Sequence, residues 1–129
     1  MDFSQAVRNG FRNYASATGR ASRSEFWYWM IFSTLCGAAG NVIDLAILRD
    51  VDSGLVAPLI SLALLLPDVA VSIRRLHDLD RSGWWLLICL TGIGFIVLLV
   101  WDCMRGTLGP NRFGPAPLAS SALPVAAQI

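Results

Sequence analysis

The densest group of side chains able to do chemistry is the run Arg74-Arg75-Leu76-His77-Asp78-Leu79-Asp80-Arg81-Ser82-Gly83-Trp84-Trp85. His77 is the single histidine of the chain, and with Asp78 and Asp80 beside it the residue types suit a general base. No nucleophile, second histidine or glycine-rich phosphate cradle accompanies it, so a structural histidine is expected and no catalytic residue is assigned. Arg74 and Asp78 have the spacing of an ion pair on a helix end, which leaves Arg75, His77 and Arg81 for the phosphate oxygens of lipid headgroups. Two further carboxylates, Asp44 and Asp68, fall inside long apolar stretches, where an ionisable group is costly and is a functional candidate for that reason.

Around those carboxylates the small and polar residues form stripes at helical spacing. Ser33, Gly37, Gly40, Asn41 and Asp44 share one face, and Ser61, Asp68, Ser72 and Arg75 share another. One reading makes the stripes an ion or proton path through Asn41, Asp44 and Asp68. The other makes them helix-packing surfaces joined by hydrogen bonds, with Asp68 capturing Arg74, Arg75 or an amino-terminal arginine. On antiparallel helices the two aspartates lie near opposite ends, well over ~10 Å apart, so they do not share a proton.

The elements that must position these groups are set by composition. The 129 residues are 55% hydrophobic and 15% charged, far from the roughly one quarter charged of soluble domains, and the surplus apolar surface must face lipid. A net charge of +1 gives no reason to expect a nucleic-acid partner. All ten basic residues are arginine, the planar fork suited to carboxylate and phosphate. Cys36, Cys89 and Cys103 lack metal or disulfide spacing and read as small apolar fillers, and neither metal nor cofactor is expected.

Periodicity predicts an all-α membrane protein. An amphipathic helix at about 3–14, interfacial or docked on the protein itself, precedes three transmembrane helices at about 26–48, 55–73 and 84–101. Ser22-Arg23-Ser24-Glu25 fits a reciprocal capping box, and the aromatic run Phe26-Trp27-Tyr28-Trp29 suits a membrane boundary. Residues 49–54 read as a tight polar turn. Pro67 removes a backbone donor and is expected to bend the second span before Asp68. The glycines of Thr91-Gly92-Ile93-Gly94 fit either close packing or the tip of a re-entrant hairpin, and the shortness of two half-segments argues for packing. Residues 1–117 form one small domain, and 118–129 an Ala/Ser/Pro tail without a periodic apolar face, expected to be disordered. Seven arginines near the inner span ends against three elsewhere put the amino terminus and residues 74–83 in the cytoplasm, with the carboxyl tail outside unless the third segment re-enters.

Three motifs then combine: Gly19-Arg20-Ala21-Ser22-Arg23-Ser24-Glu25-Phe26-Trp27; Arg74-Arg75-Leu76-His77-Asp78 with Arg81-Ser82-Gly83-Trp84-Trp85; and Gly109 with Asn111-Arg112-Phe113-Gly114-Pro115. In this order, over about residues 3–117, the chain resembles the domain of unknown function 805 family, the YhaH-like small bacterial inner-membrane proteins. The resemblance implies a multi-pass inner-membrane protein without an established activity, catalytic residue or cofactor. Ala116 and the longer tail depart from the family pattern. The expectation is a non-enzymatic protein that packs with itself or a membrane partner. Arg20, Arg23, Arg74, Arg75, His77, Asp78, Arg81 and Arg112 are its headgroup or structural ion-pair candidates. The rival expectation is a small oligomeric ion or proton channel or transporter using Asn41, Asp44 and Asp68, and a third is a lipid-modifying enzyme around His77 and Asp78.

Overall fold

The computed structural model describes residues 2–49 and 54–117, so most of the expected turn at 49–54 and the whole of the tail 118–129 lie outside the described residues. Within them the chain is all-helical, without a strand: α1 (Phe3–Arg12), α2 (Arg23–Leu48), α3 (Val56–Asp78), a 3₁₀ helix (Gly83–Leu90) and α4 (Gly92–Cys103).

The α1 helix is nucleated by Asp2, whose carboxylate accepts the Gln5 amide at 2.8 Å while the Gln5 side chain accepts the Asp2 amide at 3.1 Å. Its small residues decide where it rests. Ala6 and Gly10 are buried, and a Cβ on Gly10 would stand 2.1 Å from the Trp29 ring. Phe11 meets the edge of that ring at 5.3 Å. Of the two placements open in the sequence, the contacts show docking on the protein.

Helices α2 and α3 pair antiparallel, and both are long and apolar enough to cross a membrane. Gly40 lets the backbones meet, since a Cβ there would be 2.8 Å from the Ala57 Cα. Phe26, Trp29, Leu64 and Val71 fill the space between the helices. Ser22 starts α2 by accepting the Glu25 amide at 3.2 Å, but only half of the expected capping box forms, because the Glu25 carboxylate turns instead to Arg74 and Asn9. Helix α3 runs on through Pro67 as one element. Pro67 has no N–H for the Ala63 carbonyl one turn earlier, and the Tyr14 hydroxyl donates to that carbonyl in its place.

The third apolar segment departs from the expected span at 84–101. It breaks at Thr91 into the 3₁₀ helix and α4, and Trp85 and Trp101 stack edge to face at 5.5 Å. In one straight helix those rings would be separated by roughly 24 Å. The segment is therefore a hairpin with both ends at one level. Thr91 makes the reversal, donating to the Ile88 carbonyl at 2.8 Å and capping α4 by accepting the Gly94 amide at 3.0 Å. Gly94 has no alternative residue, as a Cβ there would lie 1.8 Å from the Ile88 oxygen. The limbs are less short than their residue count suggests, because a 3₁₀ helix rises about 2 Å per residue.

Removing the Tyr14 hydroxyl leaves the Ala63 carbonyl without its donor on the apolar face of α3. Tyr14→Phe is expected to cost about 1–2 kcal/mol, read as a lowered Tm in detergent, whereas an unchanged Tm would show that the carbonyl has another donor.

Candidate functional site

The end of α3 terminates in a way that presents Asp78 inward. The Arg81 amide returns to the Leu76 carbonyl at 2.9 Å and the Asp80 amide to that of His77 at 3.0 Å, with Asp80 in the left-handed region at φ 57°. This is a Schellman stop built on aspartate in place of glycine. Asp78 is buried there and serves two guanidinium groups. Oδ1 takes Arg20, with Nε at 3.1 Å and Nη2 at 2.9 Å, and Oδ2 takes Arg75 Nη1 at 2.5 Å.

Both arginines direct further donors to the last turn of α4 and the segment after it, while Arg75 Nε stays buried without a partner. Arg20 Nη1 donates to the carbonyls of Gly109 at 2.8 Å and Gly114 at 3.2 Å, and Nη2 to that of Thr107 at 2.6 Å. Arg75 Nη2 donates to the carbonyls of Asp102 at 3.2 Å and of Met104. The Thr107 amide donates to the Asp78 carbonyl at 2.7 Å, and Gly106 has no room for a Cβ, which would fall 1.9 Å from Asp78 Oδ2. Around this clamp the Ala21 amide meets the Arg74 carbonyl at 2.9 Å, and Asn111 Nδ2 meets that of His77 at 2.9 Å. Gly19 to Ser22, the end of α3 and residues 102–114 thus form one polar end of the molecule.

His77 belongs to this end as a structural group. Its ring stacks on Phe113 at 3.9 Å and 3°, and Nδ1 lies 2.9 Å from the Gly19 carbonyl, so Nδ1 carries the proton. Arg112 itself lies outside, with 60% of its side chain exposed, pairing with Asp80 at 3.3 Å.

Several expected partnerships are replaced. Arg74 does not pair with Asp78; it reaches across to Glu25 at 2.8 Å, a carboxylate that Asn9 also holds at 2.5 Å, and its Nε and Nη2 are buried without a protein partner. Asp68 captures no arginine. It accepts Trp29 Nε1 at 2.7 Å and the Ser33 hydroxyl at 3.0 Å. Asp44 caps α3 from α2, accepting the Val56 and Ala57 amides at 2.9 Å each, so its negative charge sits at the positive end of a helix. Asn41 is exposed and joins neither carboxylate. Arg23 is exposed, donating to the Cys103 carbonyl at 3.2 Å, and Arg81 lies over the Trp101 ring at 4.0 Å. Cys89 and Cys103 are exposed rather than fillers of the core. Among the described residues no group of three His, Cys, Asp or Glu could hold a metal ion.

Two participants escaped the sequence reading. Glu25 looked like a cap and is an ion-pair partner. Asp102 looked like the end of a span and lies 9% exposed at the base of the hairpin, where burial raises its pKa to about 6 against the pull of Arg75. An acidic residue directly after a long uncharged run was the available signal.

Two long apolar helices, a third apolar element and charges gathered at one end define a small helical membrane protein. Comparison with known proteins narrows this: the chain belongs to the family described as "Protein of unknown function (DUF805)", whose profile matches residues 14–115. It is 45% identical over 111 residues to the inner membrane protein YhaI of Escherichia coli (strain K12), covering 82% of this chain and 89% of that protein. It is 38% identical over 109 residues to the inner membrane protein YhaH of the same strain, covering 82% and 90% respectively. The uncharacterized protein YiiR of that strain is 28% identical over 99 residues, covering 70% of this chain and 55% of YiiR. No solved structure matches.

Removing one partner from a buried pair leaves an uncompensated charge, so Asp78→Ala is expected to destabilise by about 3–5 kcal/mol and to open residues 105–114 to trypsin, while Arg112→Ala at the exposed pair costs under about 1 kcal/mol. Equal trypsin resistance of the two variants would refute the clamp. For Asp102 the folded pKa lies above the ordinary 3.8, so the stability held by its protonated form is complete below about 3.8 and lost as pH rises through about 6. Asp102→Asn, purified in lipid-free detergent, should therefore raise Tm at pH 7.5 and leave it nearly unchanged at pH 4, and a Tm gain independent of pH would contradict the burial argument.

Proposed function

We propose that the chain is a non-enzymatic inner-membrane protein. In this reading α2 and α3 cross the bilayer, the hairpin of the 3₁₀ helix and α4 re-enters from the cytoplasmic side, and α1 lies against α2 near that surface. The observation that carries it is the stacking of Trp85 on Trp101, with residues 102–114 bound to Arg20 and Asp78, so that the hairpin begins and ends at one face. Limbs of roughly 16 and 18 Å reach about the middle of a ~30 Å hydrocarbon core.

The charge count supports the orientation. With the hairpin returning, Arg8, Arg12, Arg20, Arg23, Arg74, Arg75, Arg81, Arg105 and Arg112 gather at one end and Arg49 alone at the other, which makes the first end cytoplasmic. Within that set the roles divide. Arg20, Arg74 and Arg75 are buried in the protein and act as structural charges, whereas Arg8, Arg12, Arg23, Arg105 and Arg112 are exposed and suited to anionic headgroups. Exposed Leu59, Leu62, Leu65 and Leu66 on α3, with Leu35 and Val42 on α2, give the helix pair an apolar exterior for lipid, a second copy or a membrane partner. A channel through Asp44 and Asp68 receives no support, since one carboxylate caps a helix and the other is held by Trp29 and Ser33.

Single cysteines placed at positions 4, 53, 82 and 120 in a background lacking Cys36, Cys89 and Cys103 test the arrangement. Membrane-impermeant thiol reagent should reach positions 4, 82 and 120 from the cytoplasmic side and position 53 from the periplasmic side. Labelling of position 120 together with 53 would mean that the third segment crosses.

A further inference from the structure

Between the start of α2, the end of α3 and the hairpin lies a cavity of about 400 Å³, walled by Phe26, Trp27, Met30, Leu76, Phe95 and Leu98. Its volume falls within the roughly 300–1,000 Å³ typical of small-molecule sites, and its wall is almost wholly apolar. The polar exceptions are Ser72, whose hydroxyl is given to the Asp68 carbonyl at 2.8 Å, and Asp102. As a residue Asp102 is 9% exposed, and its carboxylate accepts no hydrogen bond from any described residue, although its backbone carbonyl takes both Trp27 and Arg75. Arg75 forms no ion pair with it: its Nη1 and Nη2 go to Asp78 and two carbonyls, its Nε has no partner, and it acts on Asp102 only through space.

A buried carboxylate without a donor is costly, and what relieves that cost is a ligand group carrying both N–H donors and positive charge. A second charge stands close by. Arg23 lies one turn before Trp27 on α2, is exposed, and touches the Cys103 carbonyl next to Asp102. The cavity thus offers an apolar slot, a carboxylate in its lining and an exposed guanidinium beside it.

We propose that this cavity holds one acyl chain of a phospholipid whose headgroup joins a phosphate to a primary ammonium, the ammonium meeting Asp102 and the phosphate meeting Arg23. The proposal rests on the re-entrant placement of the hairpin given above, which puts the apolar wall at acyl depth and Asp102 at the level of the headgroups. It gives Asp102 a use that the fold alone does not. A carboxylate that weakens the apo protein at neutral pH is compensated when the ammonium arrives, so a site that opposes stability is the one that recognises the lipid.

The wild-type protein and Asp102→Asn, each extracted from discs of equal phosphatidylethanolamine, phosphatidylcholine and phosphatidylglycerol, are compared by native mass spectrometry of retained lipid. Phosphatidylcholine keeps the phosphate and the chains but has no N–H, and phosphatidylglycerol has no cation. Wild type is expected to retain phosphatidylethanolamine over either by about tenfold, the equivalent of one charge-assisted hydrogen bond, and Asp102→Asn to retain the three alike. Equal retention by the wild type, or a preference unchanged in Asp102→Asn, overturns the proposal. Preference for phosphatidylglycerol also overturns it, while leaving the reading of exposed arginines on anionic lipid intact. The headgroup comparison on wild type decides the matter even if the variant misfolds. The membrane arrangement stands or falls separately, on labelling at position 120.

Discussion

The structure depends on the sharing of one carboxylate between two arginines. Asp78 holds Arg20 on one oxygen and Arg75 on the other, and each arginine then reaches carbonyls of the segment after α4. Neither guanidinium is tolerable in a buried position without that carboxylate, and the carbonyls alone supply acceptors but no countercharge. Because Arg20 precedes α2, Arg75 ends α3 and the acceptors follow α4, a single residue ties three stretches that are far apart in the chain. The return of the hairpin follows from this. Residues 102–114 must come back to the level of Asp78, and an apolar segment that starts just after Asp78 and ends just before Asp102 can satisfy that only by reversing.

Which parts of this were legible in the sequence follows from the range of each signal. Helices α2 and α3 were readable because length, hydropathy and the Ser22 cap are local, and the starts came within a few residues. The hairpin was legible only as the less favoured reading of Thr91-Gly92-Ile93-Gly94, since 84–101 has the composition of a crossing helix. Only the steric demand at Gly94 and the distant bonds of Arg20 distinguish the two. Pro67 shows an intermediate case: the loss of a donor is certain from the residue type, but the identity of the group that replaces it, Tyr14, requires knowing that α1 doubles back.

The site was legible by residue and not by partner. Nearly every arginine singled out from the motifs lies at the polar end, yet Arg75 takes the Asp78 partner that spacing assigned to Arg74, and Arg74 is buried on Glu25. On an α-helix i and i+4 are close to one another, but so are i and i+3, and Asp78 takes the residue that faces inward with it. Asp44 and Asp68 illustrate the same limit. Their burial and cost were evident from hydropathy, whereas a helix amino terminus and an indole N–H as the groups that relieve the cost belong to tertiary structure.

The bond between Arg20 and the Gly114 carbonyl spans 94 positions. During synthesis Arg20 emerges early and Asp78 much later, and its last acceptor only after residue 114 is made. Until then the polar end carries unsatisfied guanidinium groups beside apolar helices, a surface that the finished protein never presents. Arrival of residue 114 is thus recorded in the concealment of a charge, and a chain ending short of it would leave the Arg20 guanidinium with fewer acceptors and more in view.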